Sequence, residues 1–386
     1  MKKNKSFKQI ITSLQGLFSI GISDVIGGGI SSLFWLYMAS ILTVESYGEI
    51  SYLLAIGNVA TTIALIGSKN TLMVYVPKKI KLQSSLFIIV IILGAIVALS
   101  SSIIYSNSEL SLYIFGGVIF GLGISEILAQ RNYSSYPKYL IIQKLLMVVF
   151  AIGLHNWIGI EGVILGIALS FFTYIPIIFN IFRNTQLDFS LLKPRFGFIT
   201  NSYGTSLAAT LSSQIDKLIT APLLGFVLLG NYQLGIQFIA VFQLFPHIVL
   251  KYTLPHDASG VPNKKLKIFS VIISFCFTIL IVLLSPIIIP IFFQKFIYVV
   301  EIIQILSISL VPYSVSSIYT SKLFGQEDSK VIISGMILLM ISLIMGIFSL
   351  GNIMGIFGVS IAYVIAITIQ AIFYIVVDLR IKTPKT

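Results

Sequence analysis

The chain has 386 residues, of which 57% are hydrophobic and 10% charged, and its mean hydropathy is +1.01. Soluble domains carry about 25% charged residues, so the composition excludes a soluble enzyme or binding module and indicates an integral membrane protein. The net charge of +12 would suit nucleic acid, but the basic residues sit in short clusters at alternate gaps between apolar runs, which is a topology signal and excludes that partner.

In chain order, Met1-Lys-Lys-Asn-Lys leads into an apolar run from Ile10 to Leu42. That run exceeds the ~7–15 residues of a signal-peptide core, so it is expected to remain as the first helix. At about 20 apolar residues per crossing, the pattern predicts twelve spans: 19–42, 50–72, 84–105, 110–129, 138–155, 160–182, 199–221, 224–249, 266–290, 299–320, 330–350 and 355–377.

Span one contains SDVIGGGISS, residues 23–32. An acid in the bilayer costs about 2.5–3.5 kcal/mol even on lenient scales, and each interior glycine costs about 1 kcal/mol against alanine. Asp24, Gly28, Ser31 and Trp35 follow i, i+4, i+7 and i+11 spacing and share one face. Asp24 makes sense if that face meets water. Gly27, Gly28 and Gly29 are either a hinge that lets the helix bend or a tight helix contact. Trp35 is either a platform for sugar stacking or part of an interfacial aromatic belt.

Further along, Lys69, Glu126 and Lys144 fall near the cytoplasmic ends of their spans, where each can snorkel to the interface. Pro176, Pro246 and Pro312 are candidate kinks. Span seven is the most polar. At 100° per residue, Asn201, Ser202, Thr205, Ser206, Thr210, Ser212, Ser213, Asp216 and Lys217 occupy one half of the helix, with Gln214 the main exception on the other. Such a half faces a water-filled cavity or a polar bundle core. Small hydroxyls alone could merely allow close packing, but Asp216 and Lys217 ask for more. As neighbours 100° apart they are expected to have different partners. Cys276 is alone, so no internal disulfide forms, and His155, His247 and His256 have no metal-ligand spacing. No metal site and no cofactor is expected.

Lysine and arginine accumulate at the N-terminus, at the C-terminus and in the gaps after spans two, four, six, eight and ten. The opposite gaps hold Lys295 with Glu45, Glu49, Glu109 and Glu161. This bias places both termini in the cytoplasm. The segments starting at Ile41 and Leu223 share an aromatic-and-glycine turn between two spans, about six helices apart. The fold class that follows is all-α: a polytopic bundle of about twelve helices in two six-helix lobes related by a pseudo-twofold axis. Residues 1–182 form the N-terminal lobe, 183–198 a cytoplasmic linker and 199–386 the C-terminal lobe.

There is no Walker loop, no large extracytoplasmic loop with paired acids and no selectivity filter. What remains is the layout of a secondary transporter rather than an enzyme. Three segments resemble a known family: LTVESYGEISYLLAIGNVA (42–60), IGSKNTLMVYVPKK (66–79) and QIDKLITAPLLGFVLLGNYQLG (214–235). They are similar to the polysaccharide-transporter flippases, the O-antigen and lipid-linked oligosaccharide branch of the multidrug/oligosaccharidyl-lipid/polysaccharide exporter superfamily. The resemblance implies two lobes working by alternating access in the plasma membrane, with a glycan on a polyprenyl phosphate or diphosphate as cargo. It further implies that Lys217 attracts the carrier phosphate, while Asp216 and Asp24 bind glycan hydroxyls or a coupling cation, proton or sodium. Such flippases tend to carry several basic cavity residues; only Lys217 can be placed here. The alternative is a cation-coupled multidrug antiporter of the same superfamily. A membrane scaffold has no need of a half-polar seventh helix.

Overall fold

The computed structural model describes residues 2–258, 263–296, 298–326 and 328–382. The protein is an all-α, polytopic membrane protein. In chain order the helices are α1 (Lys2–Ile41), α2 (Val44–Leu65), α3 (Ser68–Tyr75), α4 (Gln83–Tyr105), α5 (Ser108–Ala129), α6 (Ser135–Ile158), α7 (Ile160–Phe171) and α8 (Ile175–Asn184). They continue with α9 (Phe196–Leu224), α10 (Phe226–Ala258), α11 (Lys264–Phe292), α12 (Val299–Ser307), α13 (Leu310–Gly325), α14 (Ser329–Gly346) and α15 (Asn352–Lys382).

Among the described residues, nine stretches are long and apolar enough to cross a membrane, and α12 with α13 makes a tenth, bent by 41°. One of the nine, Lys330–Arg380, is 51 residues long and covers nearly all of both α14 and α15. The 29-residue α9 is long enough but too polar to be counted with them. Counting α9 and dividing the long stretch gives the twelve expected crossings.

The interior is largely apolar, yet some helices turn small polar residues inward and bulky apolar ones outward. On α11 the buried face is Ser270, Ser274, Ile281, Ser285 and Ile289, whereas Ile268, Phe269, Ile272, Phe275, Leu283, Ile287 and Ile291 are exposed. In water this would be inverted. In lipid, bulky apolar groups lose nothing outside, and small hydroxyl residues let helices approach and hydrogen-bond. Ser270 and Ser314 do so at 2.9 Å, and the Thr278 hydroxyl donates to the Ser307 carbonyl at 2.9 Å.

Prolines mark two breaks. Pro176 opens α8 after a 3-10 turn at Phe172–Tyr174, and Pro312 lies in the first turn of α13, just past the bend. Proline removes a helical N–H and its ring crowds the carbonyl four residues back. Pro246, by contrast, sits within the unbroken α10. Span two ends earlier than its apolar run. Ile66 and Gly67 take left-handed φ values of 40° and 74°, and a side chain on Gly67 would sit 2.6 Å from the Tyr203 nitrogen.

The chain divides into two compact units: Met1–Ser31 with Ile56–Thr210, and Ser32–Ala55 with Leu211–Thr386. The first is built around Leu65, Leu72, Phe87, Val118, Leu122 and Tyr174; the second buries Tyr232, Ile302, Leu306, Leu323 and Tyr374.

The internal repeat has atomic detail that the sequence reading did not find. Asn156-Trp-Ile-Gly159-Ile-Glu-Gly162-Val recurs as Asn352-Ile-Met-Gly355-Ile-Phe-Gly358-Val. Gly159 and Gly355 share nearly one conformation, φ 75° and ψ −143° against φ 59° and ψ −135°, which only glycine adopts readily. Gly162 abuts the Leu154 carbonyl and Gly358 the Leu350 carbonyl, the same separation in each copy. Within the second unit, Gly48 of α2 presses on the Phe226 carbonyl while Gly230 of α10 presses on the Val44 carbonyl. Each glycine meets the residue four places before the other, so the two equivalent helices cross reciprocally.

Candidate functional site

The first unit holds Asp24, Gly27, Gly28, Gly29, Ser31, Asn201 and Thr205. Asp24 is half-buried, and the Tyr136 hydroxyl of α6 donates to its Oδ1 at 2.6 Å. One turn on, a side chain on Gly27 would make ordinary contacts with Leu140 at 3.5 Å and Lys144 at 3.7 Å, and one on Gly29 would meet nothing within 4 Å. Close packing is therefore not what requires glycine at these two positions. α1 is continuous there with no positive φ at any of the three, and it leaves the first unit two residues later, after Ser31. The Ser31 hydroxyl is buried with no hydrogen-bond partner. Asn201 is exposed, and its carbonyl accepts from the Thr205 hydroxyl at 2.9 Å.

The second unit holds Trp35, Ser213, Asp216 and Lys217. Trp35 meets Tyr47 edge-on at 6.1 Å, and Tyr47 meets Phe296 at 5.9 Å, so the indole belongs to an aromatic cluster at the α1–α2 turn. Asp216 and Lys217 do not have separate partners as the 100° rule suggested. Nζ of Lys217 lies 3.2 Å from Oδ1 of Asp216 and also donates to the Ser213 carbonyl at 3.3 Å. The four-carbon lysine stem folds back one turn and brings the ammonium to the neighbouring carboxylate. Asp216 accepts a further bond from the Tyr232 hydroxyl of α10 at 3.1 Å. Both charges are largely buried, with side-chain exposures of 11% and 6%, so each depends on the other for compensation.

α9 carries Asn201 and Thr205 of the first unit and Ser213, Asp216 and Lys217 of the second, and passes from one to the other after Thr210. Along its polar half Asn201 and Ser213 are exposed, Thr205, Ser206, Thr210 and Ser212 half-buried, and Ser202 buried.

Three groups placed at the interface by sequence pack into the protein instead. Glu126 is fully buried rather than snorkelling. Lys69 has its Cε against Gly121 of α5, and Lys144 flanks Gly27; both lysines are half-buried. The tyrosines that hold the two aspartates, Tyr136 and Tyr232, were missed. Tyr232 stood in the Gly-Asn-Tyr turn already picked out, so a search for donors one hairpin away would have found it. Among the described residues no three His, Cys, Asp or Glu groups are placed to hold a metal ion.

No family model matches the sequence, and no curated protein matches it either. Solved structures do. The fold is similar to those of solved membrane transporters, among them ones described as MATE family members of the MOP superfamily. The lipid II flippase MurJ in its inward closed conformation superposes with a TM-score of 0.76 at 14% identity, over 94% of this chain and 87% of that one. An outward-facing multidrug resistance MATE transporter gives 0.68 at 16% identity, over 95% of each chain. Its inward-facing counterpart gives 0.67 at 14%, over 95% of this chain and 97% of that one.

Proposed function

We propose that the protein is an alternating-access flippase that moves a polyprenyl-linked oligosaccharide or polysaccharide precursor across the plasma membrane. The observation that carries this reading is α9, a 29-residue helix with one half polar and an Asp216–Lys217 pair in its second part. Lipid gives no reason to keep such a face; a hydrated cargo does. A glycan cannot cross hydrocarbon unaided, since each unpaired hydroxyl costs several kcal/mol there, whereas its lipid tail needs no shelter. The likeness in fold to a lipid II flippase supports the same cargo class. On this reading Asp24, Gly28, Ser31, Trp35, Asn201, Thr205, Ser213, Asp216 and Lys217 line the path, Gly27, Gly28 and Gly29 form the hinge, and the six-helix lobes are residues 1–182 and 199–386 about the linker 183–198.

A second reading has its own support. Asp216 neutralises Lys217, which leaves less positive charge for a phosphate, as befits an antiporter for hydrophobic cations like the multidrug transporters of this fold. The test is reconstitution into vesicles holding a fluorescent polyprenyl-diphosphate oligosaccharide, with an impermeant quencher outside. The flippase reading requires quenching of the inner-leaflet pool faster than in protein-free vesicles. No acceleration, together with uptake of a hydrophobic cation driven by a sodium or proton gradient, would establish the antiporter.

A further inference from the structure

The first unit contains a cavity of about 270 Å³ lined by Glu126, Gln130, Asn132, Ser135, Tyr139 and Asn180, with Pro176 and Ile177 in the wall. Pro176 and Ile177 line it at the start of α8, after the 3-10 turn, and it reaches the exposed Asn132 between α5 and α6. At about 30 Å³ per water it has room for several.

Glu126 is the group in that wall that demands explanation. Its residue is fully buried. Oε1 accepts from Gln130 Nε2 at 2.8 Å and from Gln83 Nε2 at 3.3 Å. Oε2 has no partner at all, and neither has the Oε1 of Gln83. Two bare acceptor oxygens therefore belong to the same buried cluster. No lysine, arginine or histidine lines the cavity. Tyr139 of α6 is the other titratable group in the wall; Lys69 of α3 packs on Gly121 of α5, Lys138 of α6 is exposed, and α4 carries no charged residue. A bare carboxylate in such a place is costly, and an anionic ligand is repelled. What satisfies an unpartnered carboxylate oxygen is a small positive species.

We infer that the Glu126 cavity is a binding site for a monovalent cation, a proton or sodium, held by the unpartnered Glu126 Oε2. The site is separate from the Asp216–Lys217 pair, which lies in the other compact unit. Its binding chemistry holds for either cargo; its use as a coupling site rests on the transporter reading.

The test uses the full-length protein in lipid nanodiscs and reads binding, not transport, so its failure would leave the flippase reading standing. Infrared difference spectra between acid and alkaline buffer, with sodium replaced by choline, should show one carboxyl band that titrates in the wild type and is missing from Glu126→Gln. Adding sodium chloride, but not choline chloride, to weakly buffered wild type then separates the two ions. Release of about one proton per protein identifies a sodium site that exchanges with a proton; no release identifies a proton site. Glu126→Asp keeps the charge while withdrawing it from Gln83 and should retain a shifted band, which guards against a Gln variant that fails to fold. A wild type whose spectrum changes with neither pH nor sodium at the Glu126-dependent band overturns the inference.

Discussion

The Asp216–Lys217 pair combines two jobs that mutation can separate. Lys217→Ala leaves Asp216 buried with only the Tyr232 hydroxyl and should lower stability by about 3–5 kcal/mol, as losing one partner of a buried ion pair does. Asp216→Asn combined with Lys217→Ala removes both charges, and thermal unfolding in detergent should show most of that loss restored. If Lys217 also receives the carrier phosphate, flipping stays low in the double variant despite recovered stability. Lys217→Arg should keep part of the activity, since a point-charge contact depends more on charge than on shape. Full flipping by the double variant would remove both residues from transport. The sequence was informative about where these charges lie and misleading about how they are used. Helical angle places Cα–Cβ vectors, and a long side chain can undo that separation.

The helices differ sharply in how much each glycine matters. Gly29 has open space around it, so Gly29→Ala should leave the melting temperature unchanged or raise it, because alanine is about 1 kcal/mol better in a helix. Transport by that variant should nonetheless fall if α1 must bend where it leaves the first unit; normal transport would retire the hinge. Gly48→Ala and Gly230→Ala drive a methyl into a carbonyl of the opposing helix and should each cost about 1–3 kcal/mol, measurable as reduced thermal stability. Gly355→Ala meets no neighbour yet forces a φ of 59° on an alanine, at about 1–3 kcal/mol. The breaks at Pro176 and Pro312 could be read from proline chemistry. The unbroken course of α10 past Pro246, and the end of α2 at Leu65, could not. Those depend on what the neighbouring helix offers.

The architecture as a whole was the most legible part. Composition required a membrane bundle, and apolar periodicity required about twelve crossings, because burying backbone in lipid leaves no other solution for this chain. Glu126 escaped the same reading. Distance along the sequence from a helix end says nothing about which way a side chain turns. The lysine distribution also makes an orientation testable. In a background lacking Cys276, cysteines at Lys79 and Lys265 should resist an impermeant thiol reagent in intact cells, while cysteines at Ser108 and Asn352 react. Reaction of Lys265→Cys from outside would overturn cytoplasmic termini.

The reciprocal crossing of α2 and α10 also sets a schedule. Gly48 and Gly230 are 182 positions apart (230 minus 48), and ribosomes add about 5–20 residues per second. For roughly 9–36 s after α2 is made, its glycine notch has no helix to receive. During that interval lipid tails must fill the notch and later be expelled. Slowing synthesis between the two glycines should therefore lengthen the lifetime of a protease-sensitive intermediate without altering the finished fold.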